Sequence, residues 1–124
     1  MRFGDLTYLE IKELIQAGAV AIVPTGCTEQ QGPHLPVDND TYWVTQVAEG
    51  IAQAAQELDG ILSLVIPTLP FGPTPEHRNY GTGFIDLPQE LHEQVVYAEL
   101  TSLADQGFTL VMLLSGCGQH NLAA

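Results

Sequence analysis

Three apolar runs, each preceded by a stretch of helical periodicity, constrain the fold of this chain most strongly. The runs are residues 19–24, 61–67 and 108–114. Continuous apolar runs of this length are typical of strands that are covered on both faces. Because helix and strand alternate three times, the sequence predicts an α/β fold with a mostly parallel sheet.

The predicted helices span residues 7–17, 40–58 and 88–106. Thr7 and Glu10 form a capping-box pattern at the start of the first helix. Asp38, Asn39 and Asp40 are available to cap the first turn of the second helix. This helix carries apolar residues at helical spacing: Trp43, Val44, Val47, Ile51, Ala54, Ala55 and Leu58. The third begins at a proline and ends before Gly107, as helices commonly do.

The chain has 124 residues, which is enough for one domain. Three strands make a thin sheet, because most sheets have four to six. We therefore expect residues 1–124 to form a single domain that is the N-terminal part of a longer fold, or whose sheet a partner completes. A thin sheet with exposed apolar area also predicts a homo-oligomer.

The charge balance excludes two classes of partner. Fifteen acidic residues stand against three basic ones, which gives a formal net charge of −12. Nucleic acids and anionic membranes both require clustered Lys and Arg, so neither is an expected partner, and solubility accounts for the acidity. The sequence shows neither a signal-peptide pattern nor an apolar stretch long enough to cross a bilayer, which predicts a cytoplasmic location.

Two cysteines lie in turns that contain glycine. Cys27 and Cys117 are too few for a disulfide framework, and we interpret them as reduced thiols or metal ligands. The alternative is that each is an inert small residue that allows close packing. Cys117 could also be a nucleophile, because a thiol at the start of a helix has a lowered pKa.

Two long loops, residues 25–39 and 68–87, follow the carboxyl ends of strands, where open α/β sheets bind ligands. The first loop contains Glu29, His34, Asp38 and Asp40. Because carboxylates combined with imidazole suit zinc or manganese, these residues predict a metal site. Helix capping is the alternative role for the two aspartates. In the second loop, Glu76 and His77 could orient a substrate or a water, and Arg78 could receive a carboxylate or pair with an acid. His92, on the third helix, is predicted to be solvent-exposed.

These loops resemble the creatininase family of metal-dependent amidohydrolases. Residues 24–36, PTGCTEQQGPHLP, are similar to the family's P-x-G-x-x-E-Q-H-G-x-H-L-P run, and Asp40 follows where the family has its Asp. Glu76 and His77, with the later Tyr80-Gly81-Thr82, resemble its E-H-x-x-F-P-G-T segment. Residues 115–121 resemble its N-G-H-x-x-N turn. The match covers nearly the whole chain but only about half of a usual member.

The resemblance implies a three-layer α/β/α fold, oligomeric assembly and a metal centre, often with two metals bridged by an Asp, that hydrolyses C–N bonds. One metal would be held by Glu29, Asp40 and residue 117, and the second by residues 31 and 119 with Asp40. This chain has Gln31 and Cys117 where the family has His, and Gln119 where many members have an acid or Gly. We therefore expect one divalent metal, most readily zinc, with manganese or iron as alternatives, and His34 or His120 replacing a missing imidazole.

These residues predict an amidohydrolase that opens a small cyclic or linear amide through a metal-bound water. Glu76, His77 and His120 are the expected catalytic residues, with either histidine as the base. A non-catalytic relative with a degenerate metal site, serving as a small-molecule-binding or assembly subunit, is the main alternative. A cysteine hydrolase that uses Cys117 and His120 is a third.

Overall fold

The computed structural model describes residues 1–120, which form a three-stranded parallel sheet with helices on both faces. The main elements in chain order are α1 (Tyr8–Gln16), β1 (Val20–Thr25), α2 (Asn39–Asp59), β2 (Ser63–Val65), α3 (Gln89–Gln106) and β3 (Val111–Ser115), with short 3₁₀ turns at Phe3–Asp5 and Pro75–Tyr80. The strand order is β2-β1-β3, and both pairings are parallel. The predicted α/β class is confirmed.

The central strand β1 separates two cores. Because side chains alternate along a strand, Ala21 and Val23 point to one face, where they pack with Leu103 of α3 and with apolar residues of α1. Ile22 points to the other face, against Ala48 and Ala52 of α2. Residues 21–25 are all buried, as expected for a strand covered on both sides. The sheet is therefore the middle layer of an α/β/α arrangement.

Two strands are shorter than their apolar runs because the first residues of each run complete the preceding helix. Ile61 donates its backbone N–H to Ala55 O after Gly60 adopts φ +67°, which closes the end of α2. Phe108 donates to Leu103 O and closes α3 in the same way. The strands then begin at Ser63 and Val111, where the chain is free to pair with β1.

The helix starts match the sequence expectations only in part. Thr7 and Glu10 form the predicted capping box, in which Glu10 Oε2 accepts from Thr7 N at 2.7 Å. Asp38 occupies the N-cap position of α2, but its side chain makes no capping hydrogen bond. The carboxylates at this helix start are therefore not committed to capping, and Asp40 in the first turn is available for other contacts.

Part of the predicted apolar face of α2 is exposed. Val44 is buried, whereas Trp43 and Val47 are 59% and 48% exposed. The sheet therefore covers only part of the apolar residues that recur at helical spacing along α2. The edge strand β3 similarly exposes Met112. Within residues 1–120, no helix combines the length and apolar character that a bilayer crossing requires.

Candidate metal centre

Two glycines bring the loops after β1 and β3 against the start of α2. A Cβ on Gly26 would lie 2.6 Å from Thr41 Cα, and one on Gly116 would lie 2.6 Å from Val44 Cβ. A residue larger than glycine at position 26 or 116 would therefore force α2 to move away from the loop. Thr41 Oγ1 also donates to the carbonyl of Cys27 at 3.0 Å. The carboxyl end of the sheet and the first turn of α2 therefore converge on one site.

Four side chains from these segments place their ligand atoms together. The thiols and carboxylate oxygens of Cys27, Glu29, Asp40 and Cys117 all lie within 4.8 Å of one another. Cys27 and Cys117 are buried, and Glu29 is only 4% exposed. Ligand atoms around a tetrahedral zinc are about 3.3–3.8 Å apart. A small contraction of this cluster would therefore give a zinc-like ligand set.

The cluster carries acidic groups without a lysine or arginine to balance them. The whole chain has three such residues: Arg2 pairs with Glu49, Arg78 pairs with Asp86, and Lys12 is exposed on α1. Buried charges normally require a partner or a metal. The local charge therefore favours a bound cation.

The burial and close spacing of the acidic groups shift the pKa values of three residues in the cluster. Burial, followed by the neighbouring Cys117 thiolate, raises the pKa of Glu29 to about 8. A hydrogen bond from Cys27 lowers the pKa of Cys117 to about 5 against the opposing effect of burial, and the same hydrogen bond raises the pKa of Cys27. Without a metal, the cluster therefore favours negative charge on Cys117 and protons on Cys27 and Glu29, and a bound cation would favour the deprotonated form of each ligand.

His77 lies beside the cluster with a defined tautomer. Gly32 N donates to Gln30 Oε1 at 2.9 Å, so the other amide atom, Gln30 Nε2, is the donor to His77 Nδ1 at 2.9 Å. The neutral imidazole therefore carries its proton on Nε2, which lies 3.3 Å from Glu29 Oε2. In this form the proton of His77 lies on the nitrogen that faces the site, and the role of His77 as a base stays a prediction.

Glu76 and Gln119 extend this polar edge. Gln119 Nε2 donates to Glu76 Oε1, and it lies 3.5 Å from His77 Nε2. An open depression beside them is lined by Gln30, Glu76, His77, Asn79 and Tyr80. Two predicted catalytic residues, Glu76 and His77, therefore border a space that a small substrate can reach.

His120 faces inward. Its Nδ1 lies 3.3 Å from Thr25 Oγ1 and its Nε2 lies 3.1 Å from Cys27 Sγ. The ring also contacts His92, with the ring centroids 4.5 Å apart. His92 is 0% exposed, so the prediction of a solvent-exposed His92 was wrong. Asn121, the last residue of the third motif, lies outside the described residues.

The remaining predicted residues lie away from the cluster. His34 is exposed, its ring lies over Gly32, and it belongs to neither group of ligand atoms in the described residues. Asp38 is also exposed. Arg78 donates to Asp86 Oδ2 at 2.7 Å, so it pairs with an acid of its own loop. Cys27, for which the sequence left an inert role open, joins the cluster instead.

Comparison with known proteins agrees with this architecture. Residues 4–124 match the creatininase family model, described as creatinine amidohydrolase. The chain belongs to the creatininase family. It is 27% identical over 118 residues to a 3-dehydro-scyllo-inosose hydrolase of Thermotoga maritima, covering 95% of this chain and 36% of that protein. It is 31% identical over 82 residues to a mycofactocin precursor peptide peptidase of Mycobacterium tuberculosis, covering 63% and 33%.

Solved creatininases share the fold. A crystal structure of creatinine amidohydrolase superposes with a TM-score of 0.79 at 25% identity, covering 97% of this chain and 46% of that one. A structure described as creatininase Mn gives a TM-score of 0.80 at 23% identity, and the match again covers 97% of this chain and 46% of that one. This chain therefore spans about a third of the curated relatives' length and about half of the solved creatininases' length.

The environment of one buried oxygen atom indicates whether a divalent cation fits the ligand cluster of this creatininase-family chain. Glu29 Oε2 is buried, and its 3.3 Å contact with His77 Nε2 lacks the geometry of a hydrogen bond, so it accepts none from the described residues. Burying an oxygen without a hydrogen bond costs free energy unless another partner, such as a cation, satisfies it. Together with the thiolate and carboxylate donors around it, this orphaned oxygen fits a divalent cation.

The creatininase ligand position at residue 31 is filled differently here. Gln31 Nε2 donates to Glu29 Oε1 at 3.4 Å and to Asp40 Oδ1 at 3.2 Å. The amide thus bridges the two carboxylates in a place where the resemblance implies an imidazole and a second metal. An amide is a poor zinc ligand, and this arrangement supports the expectation of one metal.

Proposed function

We propose that this chain forms the metal-binding part of a hydrolase that cleaves the C–N bond of a small cyclic or linear amide. Its cation, most readily zinc, would be held by Glu29, Asp40 and Cys117. The observation that carries the proposal is the buried ligand cluster with the orphaned Glu29 Oε2. A divalent cation bound there supplies an acidified water and polarises the amide carbonyl.

The chain's own residues would hold and protonate the substrate. His77 presents Nε2–H beside Glu29, and Gln30 keeps the ring in that tautomer. A donor at this place can hydrogen-bond to a carbonyl oxygen or deliver a proton to a leaving nitrogen. Glu76 and Gln119 would orient the substrate from the open side. His120, turned towards Cys27, would act by holding the cluster.

Metal content tests the ligand assignment. The chelator-treated chain should take up one equivalent of Mn²⁺, a cation that prefers oxygen ligands, as measured by elemental mass spectrometry, and Asp40→Asn should lose this uptake while keeping its circular dichroism spectrum. Asp38→Asn is the matched control, because Asp38 is exposed and makes no capping bond. An unchanged Mn²⁺ uptake in Asp40→Asn would reject the assignment.

Activity tests the reaction class. We expect chelator-sensitive hydrolysis of at least one member of a panel of small cyclic and linear amides, with His77→Gln lowering turnover by about a hundredfold or more. Hydrolysis that resists chelator but stops on thiol alkylation would instead identify the cysteine hydrolase.

A second candidate function is a non-catalytic binding or assembly subunit. The Gln31 amide that bridges Glu29 and Asp40 favours it, because the bridge removes one family ligand position. Metal binding without hydrolysis of any amide in the panel would support this function over the enzymatic one.

A further inference from the structure

A second group of ligand atoms lies beside the carboxylates. The two thiol sulfurs of Cys27 and Cys117 and a ring nitrogen of His120 are all within 4.8 Å of one another. Both cysteines are buried. Neither Cys27 nor His120 belongs to the ligand set that the creatininase resemblance implies. The resemblance therefore accounts for Cys117 alone, and its grouping with Cys27 and His120 is a feature of this chain.

His120 is held as a metal-binding histidine would be. Metal-ligating imidazoles usually hydrogen-bond through the nitrogen that does not bind the metal. Here Nδ1 lies 3.3 Å from Oγ1 of Thr25, which is fully buried, and Nε2 points at Cys27 Sγ. A Cβ on Gly72 would overlap Nε2, so this glycine leaves the space that the ring occupies.

The imidazole of His92 is a second, independent sign of a ligand site. It is 0% exposed, and neither ring nitrogen has a hydrogen-bond partner in the part of the chain that the structure describes. Burying an unsatisfied polar ring is unfavourable, and an apolar residue would fill this volume at lower cost. The ring lies against His120, at the edge of the thiol group.

We propose that Cys27, Cys117 and His120 form a binding site for a thiophilic cation of the zinc and cadmium class. Two sulfurs and one imidazole nitrogen select soft or borderline cations over Mg²⁺ and Mn²⁺, which prefer oxygen ligands. Three protein ligands leave a fourth position open for a small donor. The site shares Cys27 and Cys117 with the carboxylate cluster, so a cation occupies one group or the other, and the site does not require that the chain hydrolyse an amide.

Cadmium and cobalt report the ligand atoms directly. The reduced, chelator-treated chain is titrated with Cd²⁺, whose ultraviolet charge-transfer absorption scales with the number of thiolate ligands. Cys27→Ser should halve this absorption, and His120→Asn should weaken Cd²⁺ binding at least about tenfold. His34→Asn is the matched histidine control and should change neither. Excess Mg²⁺ should not displace Cd²⁺.

Asp40→Asn separates this site from the carboxylate centre. It should keep the cadmium absorption, whereas loss of the band in this variant together with its retention in Cys27→Ser and His120→Asn would overturn the proposal. The Co²⁺ spectrum of the unsubstituted chain needs no folded variant: sulfur charge-transfer bands with the intensity of two thiolates support the site, whereas the intensity of one thiolate, as expected from Glu29, Asp40 and Cys117, or an oxygen-only spectrum rejects it. Absence of amidase activity with intact sulfur bands would reject the proposed function alone.

Discussion

The pKa of Glu29 is raised and that of Cys117 is lowered, and together these shifts predict an unusual pH dependence for the stability of the metal-free chain. An acid whose pKa is raised on folding loses stability as pH rises from its unfolded pKa to its folded one. For Glu29 this window runs from 4.5 to about 8. A thiol whose pKa is lowered gains stability as pH rises, and for Cys117 this window runs from about 5 to 9.

Between pH 5 and 8 the two effects cancel. The folded chain holds one proton on Glu29, and the unfolded chain holds one on Cys117, so the two states bind equal numbers of protons. We therefore expect this pair of groups to add no slope to the free energy of unfolding of the unsubstituted chain, and groups such as His92, whose pKa burial lowers, set the slope that remains. Glu29→Gln removes one effect, and its stability should rise with pH at about 1.4 kcal/mol per unit. Cys117→Ser should show a falling slope over a narrower window, because Glu29 then lacks the neighbouring thiolate.

Urea unfolding of reduced, chelator-treated protein at pH 5.5, 6.5 and 7.5 measures these slopes. Parallel profiles for the three proteins would refute the proton arrangement, as would a flat profile for Glu29→Gln beside a sloping one for the unsubstituted chain. Repeating the series with metal bound provides the control, because a cation holds both groups deprotonated and should reshape every profile.

Three further predictions follow from the packing and the ligand set. Gly26→Ala should lower the free energy of unfolding in urea by about 1–3 kcal/mol, because its Cβ would lie 2.6 Å from Thr41 Cα. Gly118→Ala is the control and should lower it far less, because its Cβ would meet nothing within 4 Å. Equal decreases in the two variants would contradict this packing. Gln31→His should raise the metal content above one per chain, whereas an unchanged content would show that the second site needs more than an imidazole. Light scattering should find a dimer or larger assembly, because β3 is an edge strand with apolar side chains exposed, and a monodisperse monomer would argue against the proposed oligomer.

The sequence predicted the layers of the fold better than the details of the site. Apolar runs and turn residues locate strands because both depend on local burial and backbone preferences. The extent of β2 was overestimated, since Ile61 caps α2, a role that depends on the left-handed Gly60 rather than on hydropathy.

The site depends on tertiary approaches that no local pattern reveals. Cys27 reaches the carboxylates because Gly26 lets its loop touch Thr41, and the sequence shows only that a glycine is present. His92 looks exposed because Glu90 and Glu93 flank it, yet the start of α3 lies over the His120 ring. The resemblance named Glu29 and Asp40 by their motif positions, and the structure places both in one ligand cluster.

The amide bridge of Gln31 has a consequence for how the chain would exchange its cation. A side chain that already ties Glu29 to Asp40 keeps the empty centre in shape, unlike small zinc domains that unfold when the metal leaves. Loading and release are then local events that swap hydrogen bonds for coordination bonds. Such a centre would respond to the free cation concentration around it, and the chain would remain folded through each cycle of occupancy.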